Sequence, residues 1–268
     1  MLFFFLYTIS SQCKTQYVVI STSIKFFNYR HASNAFLFAD VLKRNGIRSN
    51  DIFIGVADDP SYNVRNIYPG KIFYDNEYSR NVYHLPNITG DLVSVKNFRS
   101  LLSRGFIEKT ISPIKKDTNG TLVLYMTGHG GFEFMKFRDT EHLLAIEFAD
   151  IIDNMKRIYE FAEILIIIDT CEASTLFNYI RTNGTTMIAS SIKDEKSLSD
   201  NLNLEFGIPL VDQFTKNFCN LIEKIGKKST FAKLYQELKR SKIDSTPFFK
   251  QYNPIKPLEQ MKLEDYFY

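Results

Sequence analysis

Short apolar runs alternate along the chain with longer stretches in which apolar residues recur every three or four positions. The runs predict buried strands, and the periodic stretches predict helices. The predicted strands cover residues 17–20, 52–56, 121–126, 163–169 and 186–189, and the predicted helices cover residues 31–45, 94–103, 141–157, 209–225 and 231–238. Strands joined through helices require crossover connections. The pattern therefore predicts an α/β fold, with a largely parallel sheet flanked by helices on both faces.

Two stretches carry no regular pattern. Residues 59–89 include Pro60, Pro69 and Pro86, and this stretch is predicted to be a long loop. Loops of such length are often functional. The tail from residue 254 is also predicted to be irregular. The 268 residues contain no repeat, no low-complexity tract and no shift in composition. We therefore expect a single domain over residues 12–268.

The N-terminus resembles a secretory signal peptide. Residues 2–9 are apolar and are followed by Ser10 and Ser11, so residues 1–11 are predicted to be removed by cleavage near residues 10–12. The run is too short to span a membrane, and no later run is long enough. The alternative is a hydrophobic first strand. In the secretory pathway, the sequons at Asn87, Asn119 and Asn183 could accept glycans.

Charge and cysteine content narrow the function classes. The net charge of +3 and the absence of a Lys/Arg cluster argue against nucleic acid as a partner. The chain has three cysteines, which do not form a disulfide framework. Cys13 lies at the edge of the predicted signal peptide, and Cys219 falls in an apolar helical pattern typical of a core residue. Cys171 is thus expected to be a free thiol.

Two predicted strands end in residues that could form a catalytic pair. Cys171 follows the strand at 163–169, and His129 follows the strand at 121–126. Because the carboxyl ends of parallel strands share one edge of a sheet, we expect the thiol and the imidazole to meet there. His129 could then act as base and acid for a Cys171 nucleophile. The backbone N–H groups of Gly130 and Cys171 could form an oxyanion hole.

Other interpretations remain open from the residues alone. A lone cysteine after a buried strand is often structural, and a histidine between glycines could belong to a metal or phosphate loop. The four histidines lack His-x-x-x-His spacing, and no Cys-x-x-Cys occurs, so a zinc site is not expected. Walker A and Rossmann glycine patterns are absent as well, and no cofactor is predicted.

Several motifs resemble those of the catalytic subunits of glycosylphosphatidylinositol (GPI) transamidases, relatives of the legumains with the caspase-like fold. The motifs occur in order from about residue 17 to the end of the chain. They are Phe27-Asn28-Tyr29-Arg30-His31, Ala57-Asp58-Asp59, Tyr125-Met126-Thr127-Gly128-His129-Gly130-Gly131, Phe134-Met135-Lys136-Phe137-Arg138-Asp139, Ile167-Ile168-Asp169-Thr170-Cys171, Ala189-Ser190-Ser191 and Ser197-Leu198-Ser199.

The resemblance implies an activity. Cys171 would cleave the C-terminal signal of a precursor protein through a thioester, and the ethanolamine amine of a GPI lipid would resolve that thioester. His129 would serve as acid and base, and Asn28 would lie beside the pair. Arg30, Ser190 and Ser191 would line the substrate pocket. The implied setting is the endoplasmic reticulum lumen, with membrane association through the other subunits of a transamidase complex.

The chain departs from the family pattern in three places. Tyr62 stands where family members commonly carry a cysteine that can tether a partner subunit. Residues 48–51 and 84–89 are poor in carboxylates where many members bind calcium, so weak or absent calcium binding is expected. Many relatives end in a membrane helix, whereas this sequence ends at Tyr268, so attachment to the membrane is expected to depend on partners.

Two rival functions stay in view. A legumain-type endopeptidase would release its product to water, but legumain-like loops usually place an acidic residue before the histidine, where this chain has Gly128. A non-catalytic scaffold subunit of a membrane complex is the other alternative. The presence of both Cys171 and His129 argues against it.

Overall fold

A seven-stranded sheet runs through the protein in the computed structural model, which describes residues 15–104, 106–107, 110–111 and 114–268. The predicted signal peptide and Cys13 lie outside these residues. The helices and strands follow one another as β1 (Thr15–Ser21), α1 (Tyr29–Arg44), β2 (Ile52–Val56), β3 (Ile88–Thr89), α2 (Val95–Arg104), β4 (Phe106–Ile107), β5 (Thr110–Ile111), β6 (Thr121–Thr127), β7 (Gly130–Gly131), β8 (Phe134–Phe137), β9 (Glu141–Leu144), α3 (Ala145–Tyr159), β10 (Glu163–Asp169), β11 (Thr185–Ala189), β12 (Leu202–Asn203), β13 (Ile208–Pro209), α4 (Gln213–Ile225), α5 (Phe231–Arg240), β14 (Phe248–Tyr252) and α6 (Glu264–Phe267).

The sheet order is β14-β11-β10-β6-β1-β2-β3. All neighbouring strands in it are parallel except β14, which is antiparallel to β11. The five predicted strands are therefore confirmed, and so is the largely parallel sheet. The central strand β6 is buried along its whole length. This explains its continuous apolar sequence, since helices cover both faces of a parallel sheet.

Alternation along each strand divides the core into two clusters. Val123 and Tyr125 of β6 face a cluster that includes residues of α1, α4, α5 and α6, whereas Leu122 and Leu124 face residues of α2 and α3. Successive side chains of a strand point to opposite faces of the sheet, so each strand contributes to both clusters. Helices on both faces agree with the expectation from the sequence.

The predicted helix at 141–157 was wrong in its first turn. Residues 141–144 form β9, which pairs with β8, and α3 begins only at Ala145. Arg138 and Asp139 adopt positive φ values of 53° and 62°, which turn the chain into this hairpin. Of the face predicted to be apolar, Ala149, Ile152 and Met155 are buried, whereas Ile146 in the first turn is 54% exposed.

Two further differences lie in the C-terminal third. The helix predicted from residue 209 begins at Gln213, because Ile208 and Pro209 pair with β12. The edge strand β14 was not predicted. Its sequence, Phe248-Phe249-Lys250-Gln251-Tyr252, lacks the apolar run of a buried strand because β14 borders solvent on one side.

The long segment at residues 59–89 is largely irregular, as predicted, and is fastened to the helices. Arg80 forms an ion pair with Asp40 of α1 at 3.0 Å, and His84 Nε2 lies 3.2 Å from the same carboxyl group. Arg80 also approaches Glu223 of α4 at 3.3 Å. Tyr62, at the position of the missing tether cysteine, is 76% exposed. The asparagines of the three sequons are exposed too.

Candidate active site

His129 and Cys171 leave the sheet at equivalent points. Thr127 at the end of β6 is paired with Asp169 at the end of β10, and the Gly128 N–H donates to the Asp169 carbonyl at 3.2 Å. His129 and Cys171 each stand two residues beyond this pair. Both side chains are half-buried. The register therefore brings the thiol and the imidazole to the same edge of the sheet.

Asn28 fixes the orientation of the His129 ring. The Asn28 amide nitrogen donates to the Ile24 carbonyl at 2.8 Å, which leaves its Oδ1 facing His129 Nε2 at 2.9 Å. An amide oxygen can only accept, so Nε2 carries the proton. Nδ1 of the neutral ring is then the basic nitrogen. Asn28 itself is buried at the start of α1.

Gly130 lies against the residue that precedes the nucleophile. A Cβ atom at this position would come within 2.6 Å of Thr170 Oγ1 and 2.8 Å of the Phe134 carbonyl oxygen. Only glycine allows the loop after His129 to pack this closely on the loop that carries Cys171. Gly128 is equally confined, because its Cβ would lie 2.1 Å from Thr22 Oγ1.

Ser190 and Ser191 hold the backbone around Cys171. The Ser190 hydroxyl accepts from Thr170 N–H at 3.2 Å and donates to the Thr170 carbonyl at 3.1 Å. The Ser191 hydroxyl accepts from Ala173 N–H at 3.1 Å and donates to the Thr170 carbonyl at 2.8 Å. Both serines are fully buried. Their hydroxyls thus support the nucleophile loop from beneath, and neither forms an exposed wall of a pocket, contrary to the expectation.

Arg30 joins the catalytic pair to a buried carboxyl group. Its Nε donates to Asp212 Oδ1 at 3.1 Å, and its Nη1 lies 3.4 Å from Asn28 Oδ1. Asn34 Nδ2 donates to the other Asp212 oxygen at 2.6 Å, and His31 Nε2 lies 3.6 Å from it. The Arg30 side chain is 18% exposed, whereas the Asp212 side chain is buried.

Burial controls the charges of this cluster. Burial, strengthened by the nearby Asp169 carboxyl, raises the pKa of Asp212 to about 7, although Arg30 and Asn34 oppose the shift. Burial also holds the pKa of His31 well below its ordinary value, and the positive charge of Arg30 adds to the effect. The His31 ring packs edge-on against the His129 ring at 4.8 Å. The His31 ring is therefore neutral near pH 7.

The pKa shifts of His129 and Cys171 both favour the neutral form near pH 7. Burial lowers the pKa of His129, and the positive charge of Arg30 lowers it further, while Asp139 acts in the opposite direction. Burial raises the pKa of the Cys171 thiol, although the backbone N–H of Ser197 partly offsets this. With a protonated thiol and an uncharged imidazole at the same edge of the sheet, His129 can accept the thiol proton as a general base.

The sequence did not assign roles to several residues of this site. Asp169, which ends β10, receives hydrogen bonds from Ser197 at 2.7 Å and Thr215 at 2.6 Å. Asp212, His31 and Asn34 complete the buried network. His31 and Asn34 belong to α1 and could have been found from the helical spacing after Asn28. Asp212 is distant in sequence and carried no pattern of its own.

The places expected to be poor in calcium ligands contain oxygens that already have protein partners. Arg48 Nε donates to Asp51 Oδ2 at 2.9 Å, and Ile54 N–H donates to Asn87 Oδ1 at 2.7 Å. In the part of the chain that the structure describes, no group of three His, Cys, Asp or Glu side chains could hold a metal ion. Weak or absent calcium binding at these places stays a prediction.

No helix among the described residues is both long and apolar enough to cross a bilayer.

Comparison with protein families and solved structures shows what the chain is similar to. The family model described as "Peptidase C13 family" matches residues 16–266. The GPI-anchor transamidase of Saccharomyces cerevisiae is 34% identical over 80% of this chain and 53% of that protein. The Schizosaccharomyces pombe GPI-anchor transamidase is 32% identical over 96% of this chain and 70% of that protein. The Homo sapiens protein of the same name is 33% identical over 86% of this chain and 60% of that protein.

The chain thus spans between about half and 70% of the length of the curated relatives it matches. Among solved structures, caspase-1 from Spodoptera frugiperda superposes with a TM-score of 0.51 over 95% of this chain and 90% of that chain, at 9% identity. At that identity, the likeness concerns the fold alone. It confirms the caspase-like fold that the motifs implied.

Proposed function

The chain belongs to the Peptidase C13 family, and we propose that it is the catalytic subunit of a GPI-anchor transamidase. The observation that carries the proposal is the 32–34% identity with proteins named GPI-anchor transamidase over most of the chain. The oriented His129 ring at the same sheet edge as Cys171 supports the chemistry. The substrates, the partners and the location of the enzyme belong to this proposal.

The first half-reaction forms a thioester. His129 Nδ1 takes the proton of Cys171 Sγ while the sulfur attacks the carbonyl carbon of a small residue in the precursor. The backbone N–H groups of Gly130 and Cys171 would donate to the oxyanion of the tetrahedral intermediate. As the C–N bond breaks, His129 returns the proton to the leaving amine, and the C-terminal signal departs. The new C-terminus then remains bound to Cys171.

The second half-reaction transfers the acyl group. The ethanolamine amine of a GPI lipid attacks the thioester carbon and gives a proton to His129. The C–S bond breaks, and the sulfur leaves as a thiolate that recovers the proton from the imidazolium. The Asn28 hydrogen bond to Nε2 keeps Nδ1 directed at the reacting atoms in both halves. The exposed part of Arg30 is proposed to contact the precursor, and Ser190 and Ser191 to act through the nucleophile loop.

The geometry around Gly128 favours this proposal over a legumain-type endopeptidase. A legumain-like loop carries an acidic side chain at this position, and here a Cβ atom alone would lie 2.1 Å from Thr22 Oγ1. We further propose that the protein acts in the endoplasmic reticulum lumen and is held at the membrane by the other subunits of its complex. Glycosylation of the three sequons also stays a prediction.

A capture experiment distinguishes the candidate functions. The assembled complex, isolated from cells that make it, is given a precursor protein and hydrazine, and the new C-terminus is identified by mass spectrometry. A C-terminal hydrazide supports amine transfer. Free acid alone favours the endopeptidase. An intact precursor, in the presence of a folded complex, favours the scaffold.

Weak or absent calcium binding also remains a prediction of the proposal. Elemental analysis of the purified protein should give calcium well below one ion per chain. Stoichiometric calcium would contradict it.

A further inference from the structure

Three lysines stand around the catalytic pair without a carboxylate partner. They are Lys136, Lys193 and Lys196, and in the described part of the chain none of their ammonium groups forms an ion pair. By contrast, Lys216 and Lys233 are paired with Asp200 and Glu237 at 2.5 and 2.7 Å. Unpaired cations that converge on a reaction site favour the binding of an anion.

Lys136 approaches the pair from the His129 side. Its backbone N–H donates to the His129 carbonyl at 2.8 Å across the hairpin of β7 and β8. Its neighbours Met135 and Phe137 are buried in the core, so the half-buried Lys136 side chain lies on the opposite, solvent-facing side of β8. The charge of Lys136 contributes to the lowered pKa of His129.

Lys196 approaches from the Cys171 side. Glu172 N–H donates to the Glu195 carbonyl at 2.9 Å, which aligns the segment after Glu195 with the nucleophile loop. The backbone N–H of the next residue, Ser197, lowers the pKa of the Cys171 thiol, and the charge of Lys196 acts in the same direction. Lys193, in the same segment, lies 5.1 Å from the centre of the Phe132 ring in the β7–β8 turn.

Most of the neighbouring carboxylates are engaged elsewhere. Glu133 accepts from Asn178 at 2.8 Å and Tyr179 at 3.1 Å, and Glu195 accepts from the hydroxyl and the N–H of Thr246 at 2.7 and 2.8 Å. Asp139 is exposed and acts on His129 without pairing with Lys136. Glu133 and Glu195 keep their negative charge in these contacts, but other donors hold them, so they do not pair with the three lysines.

We propose that Lys136 and Lys196, with Lys193 beside them, form a subsite that binds the phosphodiester next to the acceptor amine. The inference rests on the proposed function, in which the acceptor is the ethanolamine amine of a GPI lipid, and it takes this ethanolamine to be esterified to phosphate. Only two carbons separate that amine from the phosphate ester oxygen. An amine placed at the thioester on Cys171 therefore brings its phosphate within reach of flexible lysine side chains, which bind phosphate as point charges.

Such a subsite gives the amine an advantage over water. An acceptor held by its phosphate reacts from a high effective concentration, whereas water has no anionic group to hold. The Phe134–Asp139 motif, in which Lys136 lies, would then contribute to the choice between transfer and hydrolysis.

The test compares two soluble amines in the assembled complex. Glycerophosphoethanolamine carries the phosphodiester, and ethanolamine lacks it. Both are supplied together at equal concentration with a precursor protein, and the ratio of the two amide products is measured by mass spectrometry. Comparison of this ratio between variants cancels the intrinsic difference in reactivity of the amines. It also cancels a partial loss of folded enzyme.

We expect the double variant Lys136→Gln/Lys196→Gln to lower the ratio about tenfold, which is equivalent to ~1.4 kcal/mol. The charge-retaining variant Lys136→Arg/Lys196→Arg should keep most of the preference. Lys227→Gln/Lys228→Gln is the matched control. These residues lie near α6 at the opposite edge of the sheet, where Glu264 N–H donates to the Lys227 carbonyl at 2.8 Å.

Two results would overturn the inference, and they are distinguishable. If both amide products form and their ratio is the same in the Gln variant as in the wild type, the subsite is refuted while the transamidase stands. If the wild-type complex releases only free acid with either amine, the transamidase proposal fails and the subsite fails with it.

Discussion

The substitution Asn28→Ala tests how the imidazole is oriented. It removes the bond from His129 Nε2 to Asn28 Oδ1 at 2.9 Å and the bond from Asn28 Nδ2 to the Ile24 carbonyl at 2.8 Å. A net contribution of about 1 kcal/mol for each bond predicts a loss of about 2 kcal/mol in the free energy of unfolding. For a chain of this size, that corresponds to a fall in Tm of roughly 4–8 °C.

The catalytic effect should exceed what the loss of stability explains. Without Asn28, the His129 ring can rotate or place its proton on Nδ1, and the productive orientation becomes one of several. We expect the rate of hydrazide formation to fall about 10- to 100-fold, which corresponds to ~1.4–2.7 kcal/mol. The rate is measured on the assembled complex well below its melting temperature, so that the folded fraction is the same for both proteins.

Asn97→Ala is the matched control. Its amide nitrogen donates to the Leu92 carbonyl at 3.0 Å, at the start of α2, and has no contact with the catalytic pair. For the one hydrogen bond it removes, this variant should lose about 1 kcal/mol in the free energy of unfolding, and it should keep the wild-type rate of hydrazide formation. If Asn28→Ala retains more than half of the wild-type rate, or if both variants lose activity equally, the orienting role of Asn28 is refuted.

Three further predictions concern the same site. Gly130→Ala places a Cβ 2.8 Å from a backbone oxygen, which cannot move away cheaply, so we expect at least a tenfold loss of hydrazide formation in a protein that still folds. Burial raises the pKa of Cys171. The rate of its alkylation by iodoacetamide should therefore rise with pH along a curve that lies at higher pH than the curve of a free thiol. A curve that lies at lower pH would contradict a neutral pair. The folded protein holds a proton on Asp212 up to about pH 7, whereas the unfolded chain releases it near pH 3.8. Between pH 3.8 and about pH 7, the free energy of unfolding of the wild type, relative to that of Asp212→Asn, should therefore decrease as the pH rises, by at most ~1.4 kcal/mol per pH unit. Chemical unfolding at several pH values measures this difference, and a difference that does not change with pH would contradict the prediction.

The strands that carry the catalytic pair could be predicted because they are buried on both faces. Such strands are continuous apolar runs, and the residues that follow them reach one edge of the sheet whatever their separation in sequence. The positions of Cys171 and His129 at that edge depend on little else. The edge strand β14 and the hairpin strand β9 lack such runs, since each is covered on one side only.

The surroundings of the pair could not be predicted in the same way. Asp212 approaches Arg30 and His31 only because α4 begins beside α1, and no local pattern records this contact. The family resemblance implied that Ser190 and Ser191 line the substrate pocket. They are buried because their hydroxyls satisfy the backbone of Thr170 and Ala173, whose groups would otherwise lack partners in the interior.

The most direct test of the account is to find where the acyl group is carried. The complex is mixed with a precursor protein in the absence of an added amine, quenched in acid and digested, and the peptides are analysed by mass spectrometry. The account predicts a thioester-linked precursor fragment on the peptide that contains Cys171, which hydrazine releases as a hydrazide and which Cys171→Ala abolishes. A fragment on another residue, or hydrazide formation that persists in Cys171→Ala, would contradict it.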